Sequence, residues 1–148
     1  MPTRLKKLDD GEYDGIILAR AGLDRLDMID IDKYNYEFFE TLDFVPAPCQ
    51  GIIAVENRAD DEYIRDVLKA INHMETYVCF VAERAFLKAM DSGCQTPLGA
   101  ISEIGENNLK MECFYYKDRI VKMSIEGENP VLTAAVLAKK LKEVTNEG

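Results

Sequence analysis

The residue with the most chemistry open to it is Cys94. It stands in the stretch Asp91-Ser92-Gly93-Cys94-Gln95-Thr96-Pro97-Leu98-Gly99. There a helical pattern ends, a glycine turns the chain, and a proline forces an extended exit. A thiol on such a loop is accessible to solvent, and as the thiolate it is a strong nucleophile. The plainer alternative is an inert loop cysteine. Cys79 falls on the apolar side of a predicted helix and Cys113 on a predicted strand, so both read as packed thiols. Cys49 is left unassigned. No two cysteines form a CxxC pair, and the one histidine, His73, is not near enough in sequence to suggest zinc. No metal site is expected, and His73 reads as a helix-junction residue. Three arginines, Arg4, Arg20 and Arg25, are the groups able to hold an anionic ligand.

These residues need elements to position them. Thr3 to Leu8 reads as a helix end with Gly11 as its cap. Tyr13 to Ala19 is a nearly continuous apolar run, as in a strand buried on both faces. Ala21 to Leu26 predicts a short helix, while 27–42, acidic and aromatic, has no assignment. Pro46 and Pro48 mark an extended linker, followed by a second short strand, Gly51 to Glu56. Neither early strand has an evident mate, so the first part of the chain reads as an incomplete α/β segment awaiting partner domains.

From Asp60, a predicted N-cap, the pattern looks self-sufficient. Ile64, Val67, Leu68 and Ile71 fall at helical spacing. A longer helix follows from about Glu75 to Met90, with Val78, Ala82, Ala85, Phe86 and Ala89 on one face and Gly93 closing it. Three strands are expected at Gly99–Ile104, Leu109–Tyr116 and Ile120–Glu126, with Val121, Met123 and Ile125 alternating inward. Asn129 and Pro130 open a last helix, whose predicted buried stripe is Val131, Ala135, Ala138 and Leu141. The tail is thus a small α+β domain: three antiparallel strands with helices on one face.

The 148 residues, 47% hydrophobic and 30% charged, suffice for a real core. A net charge of −9 argues against nucleic acid as a general partner. Apolar runs such as Ile16 to Ala19 are too short to span a bilayer, and no apolar block follows the basic residues of Met1 to Lys7. A soluble cytoplasmic chain with free thiols is expected.

The run from Glu83-Arg84 through the apolar helix to Gly93-Cys94-Gln95-Thr96-Pro97-Leu98-Gly99 resembles the signature of the porphobilinogen deaminases (hydroxymethylbilane synthases). Ser92 stands where that family usually has a first glycine. Thr3-Arg4-Leu5, the stretch from Leu8 to Asp14, Ile16 to Ala19 and Ala21-Gly22-Leu23 are similar to the family's middle region. Pro46-Ala47-Pro48-Cys49-Gln50-Gly51 resembles its PAPGQG segment, with Cys49 in place of a glycine. Residues 100–148 match only loosely.

The resemblance implies a three-domain fold in which 1–45 end the second domain, 46–59 link and add a strand to the first, and 60–148 form the third. It implies an enzyme that condenses four porphobilinogen molecules into hydroxymethylbilane with release of ammonia. A dipyrromethane cofactor would be joined to Cys94 by a thioether, formed when the thiolate attacks the methylene carbon from which the amine has left. Arg4 and Arg25 match family arginines that bind the pyrrole carboxylates, a task suited to the planar guanidinium fork. Gln50 matches a glutamine near the cofactor. Arg20 has no counterpart and reads as a surface residue. The family's catalytic aspartate lies in the first domain and has no match here, so the isolated chain is expected to be inactive without amino-terminal domains. Pro2 directly after Met1, in mid-helix by the family's pattern, points to a truncated chain. The rival reading is a non-catalytic interaction module with a free Cys94.

Overall fold

The computed structural model describes residues 2–30, 32–41, 43–91 and 97–146. The chain forms two compact units, Met1–Phe38 and Phe39–Gly148.

In the first unit, α1 (Pro2–Asp9) buries Leu5, and α2 (Arg20–Arg25) buries Leu23. Gly11 ends α1 as expected. Its φ of +74° lies in the left-handed region that glycine enters without a Cβ penalty. There the Gly11 and Glu12 amides donate to the carbonyls of Leu8 and Lys7 at 3.0 and 2.9 Å. These two bonds satisfy carbonyls that the helix end would otherwise orphan. The loop after α2 is tied back to α1, because Asp9 accepts from Lys33 Nζ at 2.8 Å and Tyr34 Oη at 2.7 Å. Those bonds lower the Asp9 pKa. The strand expected over Tyr13–Ala19 is not formed. The run is irregular and has no ladder partner among the described residues, and Tyr13 and Ile17 are exposed. A strand without a neighbour has unpaired backbone groups and no surface to pack on.

The second unit holds the core. Residues 45–47 have no regular secondary structure, and Pro48–Gly51 is a turn rather than a continuing linker, with Cys49 and Gly51 at φ +64° and +86°. The strand expected over Gly51–Glu56 is also absent, and 53–60 are exposed. Helix α3 (Glu62–Ile71) starts one residue later than expected, with Asp61 rather than Asp60 accepting from the Ile64 amide. Its apolar stripe is not buried: Tyr63, Ile64, Val67 and Ile71 face solvent. The segment is therefore less self-sufficient than its periodicity implied.

The remainder of the unit agrees closely with expectation. Helix α4 (Met74–Met90) leads to β1 (Leu98–Ile104), β2 (Leu109–Tyr116), β3 (Ile120–Gly127) and α5 (Pro130–Asn146). The three strands form one antiparallel sheet in the order β1-β2-β3, with Ala100 opposite Cys113 and Cys113 opposite Met123. Alternation puts Leu109, Met111 and Cys113 on one face. There they meet Ala82 and Phe86 of α4 and Leu137, Ala138 and Leu141 of α5. Val121, Met123 and Ile125 pack against the same cluster. Both helices thus cover one face of the sheet, and the mixed α+β class holds.

Two details differ. Asp91, at φ +52°, caps α4 in place of Gly93, which lies outside the described residues. The buried stripe of α5 is Ala134, Leu137, Ala138 and Leu141, while Val131 and Ala135 face solvent. The N-cap is the expected one, with Asn129 Oδ1 accepting from the Val131 and Leu132 amides at 3.0 Å.

Candidate functional site

Cys94, together with Ser92, Gly93, Gln95 and Thr96, lies outside the described residues. The described residues on either side of it are held by backbone hydrogen bonds. On one side the Asp91 amide donates to the Lys88 carbonyl as α4 closes. On the other, the Pro97 carbonyl accepts from the Tyr116 amide at 3.0 Å, joining Pro97 to the end of β2. The last residue of the motif, Gly99, has a steric reason to be glycine. A Cβ there would sit 2.7 Å from the Val45 carbonyl oxygen and 2.9 Å from that of Pro46. This close approach allows the Ala100 amide to donate to the Pro46 carbonyl at 3.0 Å. Residues 45–46, where the PAPCQG segment begins, and Gly99–Ala100, where the cysteine motif ends, are therefore brought together along β1.

Gln50 sits on the turn Pro48–Gly51 and is exposed, its amide donating to the Ala47 carbonyl at 3.0 Å. It lines a cleft of about 380 Å³ with His73, Cys79, Glu83 and Ser102. Glu83 is the residue that sequence reasoning missed. It is 4% exposed on α4. One carboxylate oxygen accepts from the Cys49 amide, and the other accepts from the Ser102 amide at 2.9 Å and the Ser102 hydroxyl at 2.8 Å. A buried carboxylate is costly unless hydrogen-bonded, and these three donors supply the compensation. The available signal was a charged residue in register with Cys79, Phe86 and Met90, on the face that periodicity turns inward.

Arg4 and Arg25 belong to the first unit, one on α1 and the other in the last turn of α2. Both are exposed, and neither is in an ion pair among the described residues. Arg20 instead pairs with Asp24 at 3.5 Å and lies over the Phe38 ring, as befits a surface residue. His73 caps α4 by accepting from the Thr76 amide at Nδ1, in keeping with a junction role. The described thiols are muted. Burial pushes Cys113, only 1% exposed, up to about 11. Burial also raises Cys79, and it raises Cys49 together with the nearby Glu83 carboxylate. A raised thiol pKa leaves little thiolate at neutral pH.

Two family models match the chain. Residues 1–66 match "Porphobilinogen deaminase, dipyromethane cofactor binding domain", and 77–145 match "Porphobilinogen deaminase, C-terminal domain". The chain belongs to the porphobilinogen deaminase family. Among the curated members it resembles is a porphobilinogen deaminase of Carboxydothermus hydrogenoformans, 46% identical over 115 residues, covering 76% of this chain and 35% of that protein. Another, from Laribacter hongkongensis, is 36% identical over 150 residues, covering 100% of this chain and 48% of the relative. A probable porphobilinogen deaminase of Methanocaldococcus jannaschii is 44% identical over 106 residues, 72% of this chain and 35% of that protein. The chain thus spans between a third and a half of the length of these deaminases. Cys94 falls within the part matched by the C-terminal model, whereas Arg4, Arg25 and Gln50 fall within the part matched by the cofactor-binding model. Among the described residues, no helix is long and apolar enough to cross a membrane.

Proposed function

We propose that this chain supplies the cofactor-bearing part of a hydroxymethylbilane synthase, which condenses four porphobilinogen molecules into hydroxymethylbilane and releases ammonia. The observation that carries the reading is the Gly93-Cys94-Gln95-Thr96-Pro97-Leu98-Gly99 pattern in a chain matched along most of its length by two models of this family. Cys94 is the proposed thioether attachment point for dipyrromethane. When bound, that group supplies the anchored end from which the pyrrole chain grows. Arg4 and Arg25 are proposed to hold its acetate and propionate groups. They fit the task in kind, being exposed guanidinium groups not engaged by acids among the described residues. Gln50, exposed on its turn, offers an amide to the same group. Residues 1–45 are assigned to the end of a second domain, 46–59 to a linker and strand of a first, and 60–148 to a third. Residues 51–56 would become a strand only beside the remainder of the enzyme, which is consistent with their lack of a partner here.

Porphobilinogen, growing pyrrole oligomers and the amino-terminal domains are the proposed partners, with no role for nucleic acid or membrane. The proton-handling aspartate would come from those domains, so the chain alone is proposed to be inactive. A cytoplasmic setting is supported by the free thiols of Cys49, Cys79 and Cys113. A non-catalytic module is not favoured, because both matching models describe deaminase domains.

The test mixes the chain with an amino-terminal portion of a family member and porphobilinogen, then records intact mass and product. The wild type is expected to gain the mass of two pyrrole units and to form product, and Cys94→Ser to do neither. Equal activity in the two would remove the role given to that thiol.

A further inference from the structure

We infer that Glu83 is a positioning residue: it fixes the Gln50-bearing turn against α4 and β1, the two elements that flank Cys94 in the sequence. The inference rests on the proposed roles of Gln50 and Cys94 and adds a residue to which neither reading gives a task.

The geometry is that of a three-way clamp. Glu83 stands on α4, the element that precedes Cys94 in the sequence. One oxygen takes both donors of Ser102 on β1, the element that follows Cys94 in the sequence. The other takes the amide of Cys49, the neighbour of Gln50 in the turn. A single carboxylate therefore spans three segments far apart in sequence. Among the described residues no lysine or arginine bonds to it, and its partners are two backbone amides and the Ser102 hydroxyl. The turn needs such a clamp. Cys49 and Gly51 both have positive φ, a conformation that costs a non-glycine residue free energy unless its surroundings impose it. Residues 53–60, just beyond the turn, are exposed and give no support. An aspartate at 83 would be one methylene too short to serve both sides. A glutamine would keep one accepting oxygen and turn an NH₂ group toward a donor.

The experiment is segment-resolved amide exchange on the wild type and Glu83→Gln, followed by the loading assay. In the wild type, the Cys49 amide should exchange with protection near that of the Ser102 amide and well above that of 53–56. In Glu83→Gln, exchange across 47–52 should rise on the order of 10-fold or more, the size expected when a buried hydrogen bond is lost, while β2, β3 and α5 keep wild-type rates. An unprotected Cys49 amide in the wild type overturns the inference, even if the variant does not fold. So does a uniform rise across the whole second unit, which marks a merely structural residue. In the complemented chain, Glu83→Gln should take up the two-pyrrole mass roughly 10-fold more slowly, and Glu83→Asp should not restore it. Wild-type loading in Glu83→Gln would also overturn the inference. Failure of the underlying reading looks different: Cys94→Ser would then gain the mass, whatever happens at Glu83.

Discussion

Among individual residues, the thiols differ most sharply in what surrounds them. Cys113 is sealed in the sheet–helix core, and its proton is held more tightly in the folded chain than in the unfolded one. Its contribution to stability is therefore full below about pH 9 and is lost as pH rises towards about 11. Urea unfolding of wild type and Cys113→Val between roughly pH 8 and 10.5 should show the wild type losing stability more steeply, by up to about 1.4 kcal/mol per pH unit. Parallel profiles would contradict the assignment. Cys49 presents the opposite case, a residue whose backbone is the difficulty. At φ +64° a side chain is unfavourable, so Cys49→Gly should stabilise the chain by roughly 0.5–1 kcal/mol, measured by thermal unfolding. A sequence displays no dihedral angles, which is why Cys49 stayed unassigned although the departure from PAPGQG was visible. Glu83 escaped for another reason. Its partners are two backbone amides and one hydroxyl, and no charge pattern along the chain announces donors of that kind.

At the scale of elements, agreement was best wherever neighbours in sequence are neighbours in space. The three strands and their turns were readable because each pairs with the next. The stripe of α5 was misread because apolar residues occur on several sides of that helix, and only packing against β2, β3 and α4 selects one. Leu137→Ala should accordingly cost about 2–5 kcal/mol of unfolding free energy, and Leu132→Ala close to nothing. Denaturant titration separates the two, and similar losses would contradict the stripe seen in the structure. The two early strands failed for want of any ladder partner, a condition that an apolar run cannot reveal about itself. At the junction of motif and sheet, Gly99→Ala should separate β1 from 45–46, since its Cβ would meet two carbonyl oxygens below 3.0 Å. The Ala100 amide should then exchange faster, and unchanged protection would refute that account.

For the molecule as a whole, the apolar stripe of α3 and the exposed 53–60 stretch set the cooperatively packed α4–α5 core apart from the segments before it. Local opening should be easiest in that connector, where few apolar contacts oppose it. Limited proteolysis should therefore cut between residues 53 and 60 while leaving 74–91 and 97–146 resistant, as peptide mass mapping would record. First cuts within α4 or the sheet would contradict this order.

The rung from Ala100 to Pro46, the Glu83 clamp and the bond from Lys122 Nζ to the Asp43 carbonyl all cross that connector without using it. A nick there severs the covalent path but none of these ties. The halves should consequently travel as one particle in native gel filtration and part only in denaturant, making the chain a natural candidate for splitting into complementing peptides.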